Sequence, residues 1–337
     1  MKRSGNDHRE SATICCEGRR FIVQSELYLN GRRYLKLDDL GFGGRKRTVV
    51  FDPATRMLRL VLTLPEAVSS RRHLNVLRRL PQFGSLPRIL DVQQHRQECR
   101  VLVQWIRGID LGQYLLRVKS NSVAPPSPYE AIRLVRGLAH GLLHLHQYAQ
   151  IIHADIKPEN LLITRKPSLL SLIDFGSAWP IESGNSNCDG DGMSPPYAAP
   201  ELQISDSPID ARADQFSAAV VLYQLLTGEV PFDGLGGQSG KLCYRDDFAD
   251  GPELPSDLSR SIQFLPRSMR NAIDNVLLRS LQFDRDSRFP TTAAWVAELD
   301  RITDALRRFI RDDDSDIGLW ASFVQRLAKM LCMENTK

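Results

Sequence analysis

His153-Ala154-Asp155-Ile156-Lys157-Pro158-Glu159-Asn160, followed fourteen residues after Asn160 by Asp174-Phe175-Gly176, decides how the rest of this 337-residue chain is read. The residue types suit transfer of a phosphoryl group, whose loose transition state asks a protein mainly for positioning and charge neutralisation. Asp155 is a candidate to accept or orient the proton of an attacking hydroxyl. Lys157, two residues on in an extended loop, lies to the same side and can offset charge on the moving group. Asn160 and Asp174 offer a neutral and an anionic oxygen to magnesium, a hard cation that takes oxygen ligands and bridges phosphates. Phe175 is expected to pack, and Gly176 lets the chain turn.

The two stretches resemble the catalytic loop H-R-D-x-x-x-x-N and the metal loop D-F-G of the eukaryotic-type protein kinases. Asp-Ile-Lys-Pro-Glu-Asn looks like the serine/threonine branch of that family. The resemblance implies an α+β, bilobal protein kinase-like fold, with a small β-rich N-lobe, a hinge and a larger helical C-lobe. It implies ATP and Mg2+ as cofactors and a protein bearing Ser or Thr as substrate, with no nucleic-acid partner. Asp155 and Lys157 take the catalytic roles, and Asn160 and Asp174 the metal. His153 takes the family's structural role of bracing the loop. Ala154 replaces an arginine that usually binds a phosphate on the activation loop, so activity not switched by such phosphorylation is expected.

Composition agrees with a folded enzyme-sized chain. Hydrophobic residues make up 42% and charged residues 25%, ordinary for a globular protein. The net charge of +4 is spread along the chain rather than blocked, which reads as a solvated surface. Six cysteines form neither a C-x-x-C pair nor a zinc-type array, which points to a reducing, cytoplasmic setting. Neither a signal-peptide pattern nor an apolar run of about 18 residues is present, so no transmembrane segment is expected. Lysine is scarce: none occurs between Lys46 and Lys119.

Residues 1 to about 20 are polar and without periodicity, and read as a loose tail. The run Phe21 to Leu29, then Asn30-Gly31, then Tyr34 to Leu37 predicts a hairpin. Leu40-Gly41-Phe42-Gly43-Gly44-Arg45-Lys46 resembles the family's strand, glycine turn and strand over nucleotide phosphates, with Gly41, Gly43 and Gly44 letting backbone N–H groups approach the anion. Met57 to Leu64 falls where the family has V-A-I-K, but the register puts Val61 or Leu62 at the lysine position. The next helix, about Ser69 to Leu80, lacks the glutamate that pairs with that lysine, and His73 or Asn75 falls near its place. Lys46 is a candidate replacement, because the with-no-lysine kinases carry their lysine on the second strand at this offset from the first glycine. It reads equally as a solvent-facing member of Arg45-Lys46-Arg47, and Arg45 or Arg59 could also serve. Strands are expected over Ile89 to Val92 and Arg100 to Val103. The resemblance then places Val103 as gatekeeper and Gln104 to Gly108 as hinge, with Gln104 and Ile106 meeting adenine through their backbones. Asp110 matches a ribose contact or, equally, caps the helix after it.

Downstream, Ser120 to Pro128 is a surface connection. Tyr129 to Tyr148 predicts a helix with Ile132, Val135, Leu138, Leu142 and Leu145 on its core face, and with His140, His144 and His146 as packing or surface residues. Ser177 to Met193 would be the activation loop, and Ser194 to Glu201 resembles T-P-x-Y-x-A-P-E. Asp214-Gln215-Phe216-Ser217 resembles D-x-W-S, with Asp214 holding the catalytic-loop backbone. Arg288 matches the late arginine that pairs with the acid of A-P-E, so a buried Arg288–Glu201 pair is expected. The resemblance covers about Tyr34 to Ile302. It implies four regions: 1–33 as tail and short hairpin, 34–107 as N-lobe and hinge, 108–302 as C-lobe, and 303–337 as a C-terminal amphipathic helix that docks on the larger lobe or on a partner. The expected activity is that of a protein serine/threonine kinase. The rival is a pseudokinase scaffold that binds nucleotide or partners without turnover, motivated by the missing lysine and glutamate. An aminoglycoside-type phosphotransferase is disfavoured by the Tyr197 to Glu201 motif and the Asp214 helix.

Overall fold

The computed structural model describes residues 12–42, 45–94, 97–164, 169–181, 194–204, 207–241, 245–248 and 250–312. Gly43, Gly44, most of the expected activation loop and the chain from residue 313 lie outside them. Two compact units divide the chain at Arg71/Arg72, Pro87/Arg88 and Trp105/Ile106.

The first unit is built on a six-stranded antiparallel sheet in the order β3-β4-β5-β6-β8-β7. Its strands are β3 (Ser25–Leu29), β4 (Arg32–Phe42), β5 (Arg45–Asp52), β6 (Met57–Pro65), β7 (Ile89–Gln94) and β8 (Glu98–Gln104). Asn30 and Gly31, both at positive φ, join β3 to β4 in the two-residue turn that their sequence predicts. The register across β5, β6 and β8 sorts the side chains onto two faces, since directly opposed residues share a face and successive ones alternate. Val50, Val61 and Leu102 pack with Leu29 and Tyr34 on one face. Val49, Leu58 and Leu60 pack with Leu37, Phe51 and Trp105 on the other.

The expected loose tail is corrected where it is described. Thr13–Cys16 (β1) and Arg19–Ile22 (β2) form a hairpin of their own, turning at Glu17 and Gly18, both at positive φ. Ile14, Cys16, Phe21 and Val23 lay its apolar side on the Leu37, Val49 and Leu58 face. Two strands of four residues carry too few apolar positions to announce alternation, and their stability comes from the sheet face they cover.

The second unit is mostly helical. Ser127 and Glu130 make a reciprocal capping box that, with Pro128 in the first turn, starts α3 (Pro128–His144). The α-helical pattern ends at His144, short of the expected Tyr148, and Leu145–Ala149 winds on as a π-helix. The other helices are α2 (Leu111–Lys119), α4 (Arg212–Thr227), α5 (Pro255–Leu258), α6 (Arg260–Gln263), α7 (Arg267–Ser280) and α8 (Thr292–Asp312), and α1 (Val68–Arg79) precedes them in the chain. The boundary drawn before Thr303 falls inside α8, which runs through it unbroken. Short strands β9 (Gly108–Asp110), β11 (Leu161–Thr164) and β12 (Leu170–Leu172) form one small sheet, and β10 (Ile151–Ile152) pairs with β13 (Trp179–Pro180). Those pairings bracket the loop from His153 to Asn160. Among the described residues, no helix is long and apolar enough to cross a membrane.

Candidate active site

The loop after β10 is held from below by one buried carboxylate. Asp214, in the first turn of α4, accepts the backbone N–H groups of His153 and Ala154, each at 2.8 Å. Its Oδ2 also meets Nε2 of His146 at 2.8 Å, and Nδ1 of that ring meets the Thr292 hydroxyl at 2.8 Å. Burial alone would push the Asp214 carboxyl up. The bond to His146 and the other contacts outweigh it, so the group is held below the usual aspartate range and stays ionised. Ala154 needs that support: its φ of 62° is left-handed, a conformation costing a non-glycine residue on the order of 1–2 kcal/mol. Asp214 was expected from its motif, whereas His146 was read as a packing residue. Only the π-helix, which adds one residue to the turn before β10, brings its ring under the loop.

His153 is fully buried and packs edge-on against Phe175, with ring centroids 4.9 Å apart. Burial lowers its pKa and so favours the neutral ring, whose Nδ1 accepts the Asp155 N–H at 3.4 Å. Asp174 itself has a φ of 63°, and its Oδ1 accepts the N–H of Gly176 at 3.0 Å. The Asp174-Phe175-Gly176 turn is therefore fixed from both sides, by an aromatic contact and by its own hydrogen bond.

Asp155, Lys157 and Asn160 come together as their spacing predicts. Nζ of Lys157 is 3.0 Å from Oδ2 of Asp155. Nδ2 of Asn160 donates to the Asp155 carbonyl and to its Oδ2, both at 2.8 Å. Those two bonds commit the amide N–H groups of Asn160, which leaves its carbonyl oxygen as the end that a hard cation would meet. One amide oxygen and the Asp174 carboxylate are too few to cage an ion by themselves; no group of three or more His, Cys, Asp or Glu is placed to do so among the described residues. They do fit magnesium, which keeps waters and phosphate oxygens for its remaining positions. Burial raises the Asp155 pKa above its ordinary value, and Lys157 works against that rise. A carboxylate accepts a proton only above its folded pKa, so an acid limb that reports Asp155 in a pH–rate profile is expected above the usual aspartate value. Lys157→Ala should move that limb further up, which a kcat/KM profile from pH 4 to 8 would read.

Val103 is buried on β8 opposite Leu60. The Gln104 N–H donates to the Arg88 carbonyl at 2.9 Å, and Ile106 is half-buried in the stretch before β9. Oδ1 of Asp110 accepts the Gln113 N–H at 2.9 Å, so this carboxylate caps α2. Gly41 pairs with Lys46 across β4 and β5. Lys46 is 59% exposed and 4.0 Å from Asp39, which also takes the Thr48 hydroxyl at 2.7 Å. Lys46 and Thr48 are thus on the sheet face opposite Val103.

A further set of contacts shapes the Ser194 to Glu201 segment. Nη1 and Nη2 of Arg288 donate to the two carboxylate oxygens of Glu201 at 2.7 and 2.8 Å, the pair expected from sequence. The guanidinium also reaches the carbonyls of Gln282, Arg212 and Phe283 and lies 4.8 Å over the Phe216 ring, so all its donors are used. Tyr197 donates to Gln224 at 2.9 Å, and burial pushes its phenol up to about 12. Gly236 and Gly237 let the backbone close on this segment, since a Cβ at either would fall within 2 Å of the Pro196 or Ala198 carbonyl oxygen.

Residues 66–297 match the family model described as a protein kinase domain. The chain is 30% identical over 205 residues to the serine/threonine-protein kinase PknB of Mycolicibacterium smegmatis, a match covering 60% of this chain and 30% of the relative. It is 26% identical over 234 residues to the serine/threonine-protein kinase PrkC of Bacillus subtilis, covering 68% and 33%. With the serine/threonine-protein kinase GIN4 of Saccharomyces cerevisiae it shares 30% over 227 residues, covering 63% and 19%. The chain spans about a third or less of the length of these relatives.

Proposed function

This chain belongs to the protein kinase family, and from that premise we propose that it is an active serine/threonine kinase, transferring the γ-phosphoryl group of ATP to a protein hydroxyl. The observation that carries this reading is the intact cluster of Asp155, Lys157 and Asn160 on a loop held by the buried Asp214. Asp155 orients the attacking hydroxyl and takes its proton, and Lys157 offsets charge on the phosphoryl group in flight. Asn160 and Asp174 would hold magnesium, which when bound would supply positive charge that offsets the negative charge of the phosphates. The left-handed backbone at Ala154 and Asp174 supports the reading, since strain of that kind persists where the surroundings over-determine it. Transfer of label from ATP to a generic basic protein tests it, with Asp155→Asn as the comparison. Labelling by the wild type that this variant loses supports it, and a wild type that binds nucleotide without labelling anything overturns it.

The pseudokinase reading keeps one specific observation in its favour. The β1–β2 hairpin packs Ile14, Cys16, Phe21 and Val23 on the sheet face to which Val103 and Leu60 belong, the face that a base lodged beside the gatekeeper would need. If docking the hairpin is worth about 3 kcal/mol, roughly one large buried side chain, the open form is about 1% populated and apparent nucleotide affinity falls about 100-fold. Thiol modification measures this. Cys15 is exposed and Cys16 half-buried, so nucleotide that displaces the hairpin should speed modification of Cys16 several-fold while leaving Cys15 unchanged. Unchanged Cys16 reactivity at saturating Mg-ATP would show that base and hairpin do not compete.

A further inference from the structure

The missing third-strand lysine leaves the phosphates without an evident cation, and the strand register identifies where one could stand. Arg47 is directly opposite Leu62 across β5 and β6, and Leu62 is directly opposite Val101 across β6 and β8. Val49 is likewise opposite Leu60, and Leu60 opposite Val103. Arg47, Val49, Leu60, Leu62, Val101 and Val103 therefore share one face. Lys46, Thr48, Val50, Val61 and Leu102 share the other. Side-chain packing assigns the faces independently: Val50, Val61 and Leu102 belong to one apolar cluster, Val49 and Leu60 to a second. The polar contacts agree, because Lys46 and Thr48 both turn to Asp39.

The register separates Val61 from Leu62 and Lys46 from Arg47, which counting residues leaves open. Of Val61 and Leu62, Leu62 is the residue on the Val103 face, where a cation aimed at nucleotide phosphates would have to be. Of the Arg45-Lys46-Arg47 cluster, Arg47 is the residue paired with it. Arg47 is half-buried, one strand away from the vacated position, near the N-terminal end of β5. A guanidinium is charged at any working pH, and its fork of N–H donors suits two phosphate oxygens at once.

We infer that Arg47 is the phosphate-binding cation of this chain, standing in from β5 for a lysine at position 62 on β6. The inference rests on the kinase reading above. It makes Leu62 the one position at which a lysine should compensate for loss of Arg47.

Affinity for Mg-ATP and for adenosine, measured by competition with a fluorescent nucleotide on the full chain, tests it. Arg47→Ala is expected to weaken Mg-ATP about 10–100-fold, the loss of a charge-assisted contact, and to leave adenosine within twofold; a merely structural role for Arg47 would weaken both. Arg47→Ala with Leu62→Lys should recover most of the lost affinity, whereas Arg47→Ala with Thr63→Lys, on the opposite face, should not. The inference is overturned if Arg47→Ala leaves Mg-ATP affinity unchanged, if Lys46→Ala produces the loss instead, or if Thr63→Lys rescues as well as Leu62→Lys. A wild type with no measurable affinity for Mg-ATP would overturn the kinase reading and this inference together, a result distinct from the other three.

Discussion

Asp155→Asn is expected to lower kcat for phosphoryl transfer by about 10²–10⁴-fold, the range for loss of a positioned general base, while nucleotide affinity changes by less than about threefold. The geometry explains why the effect falls on kcat. Asparagine keeps the shape of the side chain and can still meet Nδ2 of Asn160 through its oxygen, so the loop conformation has no reason to change. What is lost is the anionic oxygen beside Lys157 at 3.0 Å, and with it the acceptor for the hydroxyl proton. Steady-state rates at saturating ATP, set beside nucleotide binding, separate the two. A variant that keeps more than a tenth of the wild-type rate would remove Asp155 from the chemistry and leave it a structural role.

The second large effect is on stability. Arg288→Ala is expected to destabilise the second unit by about 3–5 kcal/mol, because it leaves the buried Glu201 carboxylate uncompensated along with the carbonyls that the guanidinium served. Both side chains are almost completely buried, so solvent does not screen the loss. The double variant Glu201→Leu with Arg288→Met removes both charges and should recover a good part of that cost, since a buried pair often does no better than apolar residues of similar volume. Urea unfolding of the three proteins tests this. Equal destabilisation of single and double variants would mean that the stability resides in the geometry of Arg288's carbonyl contacts and not in relief of a buried charge. Because Glu201 closes the segment from Ser194, the single variant should also weaken protein-substrate phosphorylation more than ATP binding.

Much of the candidate site was legible because its members are close in the chain. Asp155, Lys157 and Asn160 are within six residues of one another, and a tight loop leaves them few ways to avoid contact. The Asp174-Phe175-Gly176 turn and the caps of α2 and α3 are also local, set by glycine freedom, by Asp110 and by the Ser127–Glu130 box. Even the Glu201–Arg288 pair, eighty-seven residues apart, was accessible through two motifs that a family resemblance ties together.

What the linear order could not supply was the side of the sheet on which each residue stands. A period of two makes neighbouring residues opposites, so a shift of one residue in the count exchanges Lys46 for Arg47 and Val61 for Leu62. The glycine-rich stretch Gly41-Phe42-Gly43-Gly44 carries no mark in its sequence that fixes the count, and only the pairing of β5 with β6, and of β6 with β8, does so. The β1–β2 hairpin escaped for a related reason: its four-residue strands show no pattern until the apolar face of Leu37, Val49 and Leu58 is there to receive them. His146 is the third case, brought beneath the catalytic loop by one extra residue in a π-helical turn. The sequence alone determined the family and the members of the candidate site, since those rest on residue types at short spacings. Tertiary structure decided which residues share the Val103 face, what covers that face, and what holds the loop from below, because each depends on contacts between segments far apart in the chain.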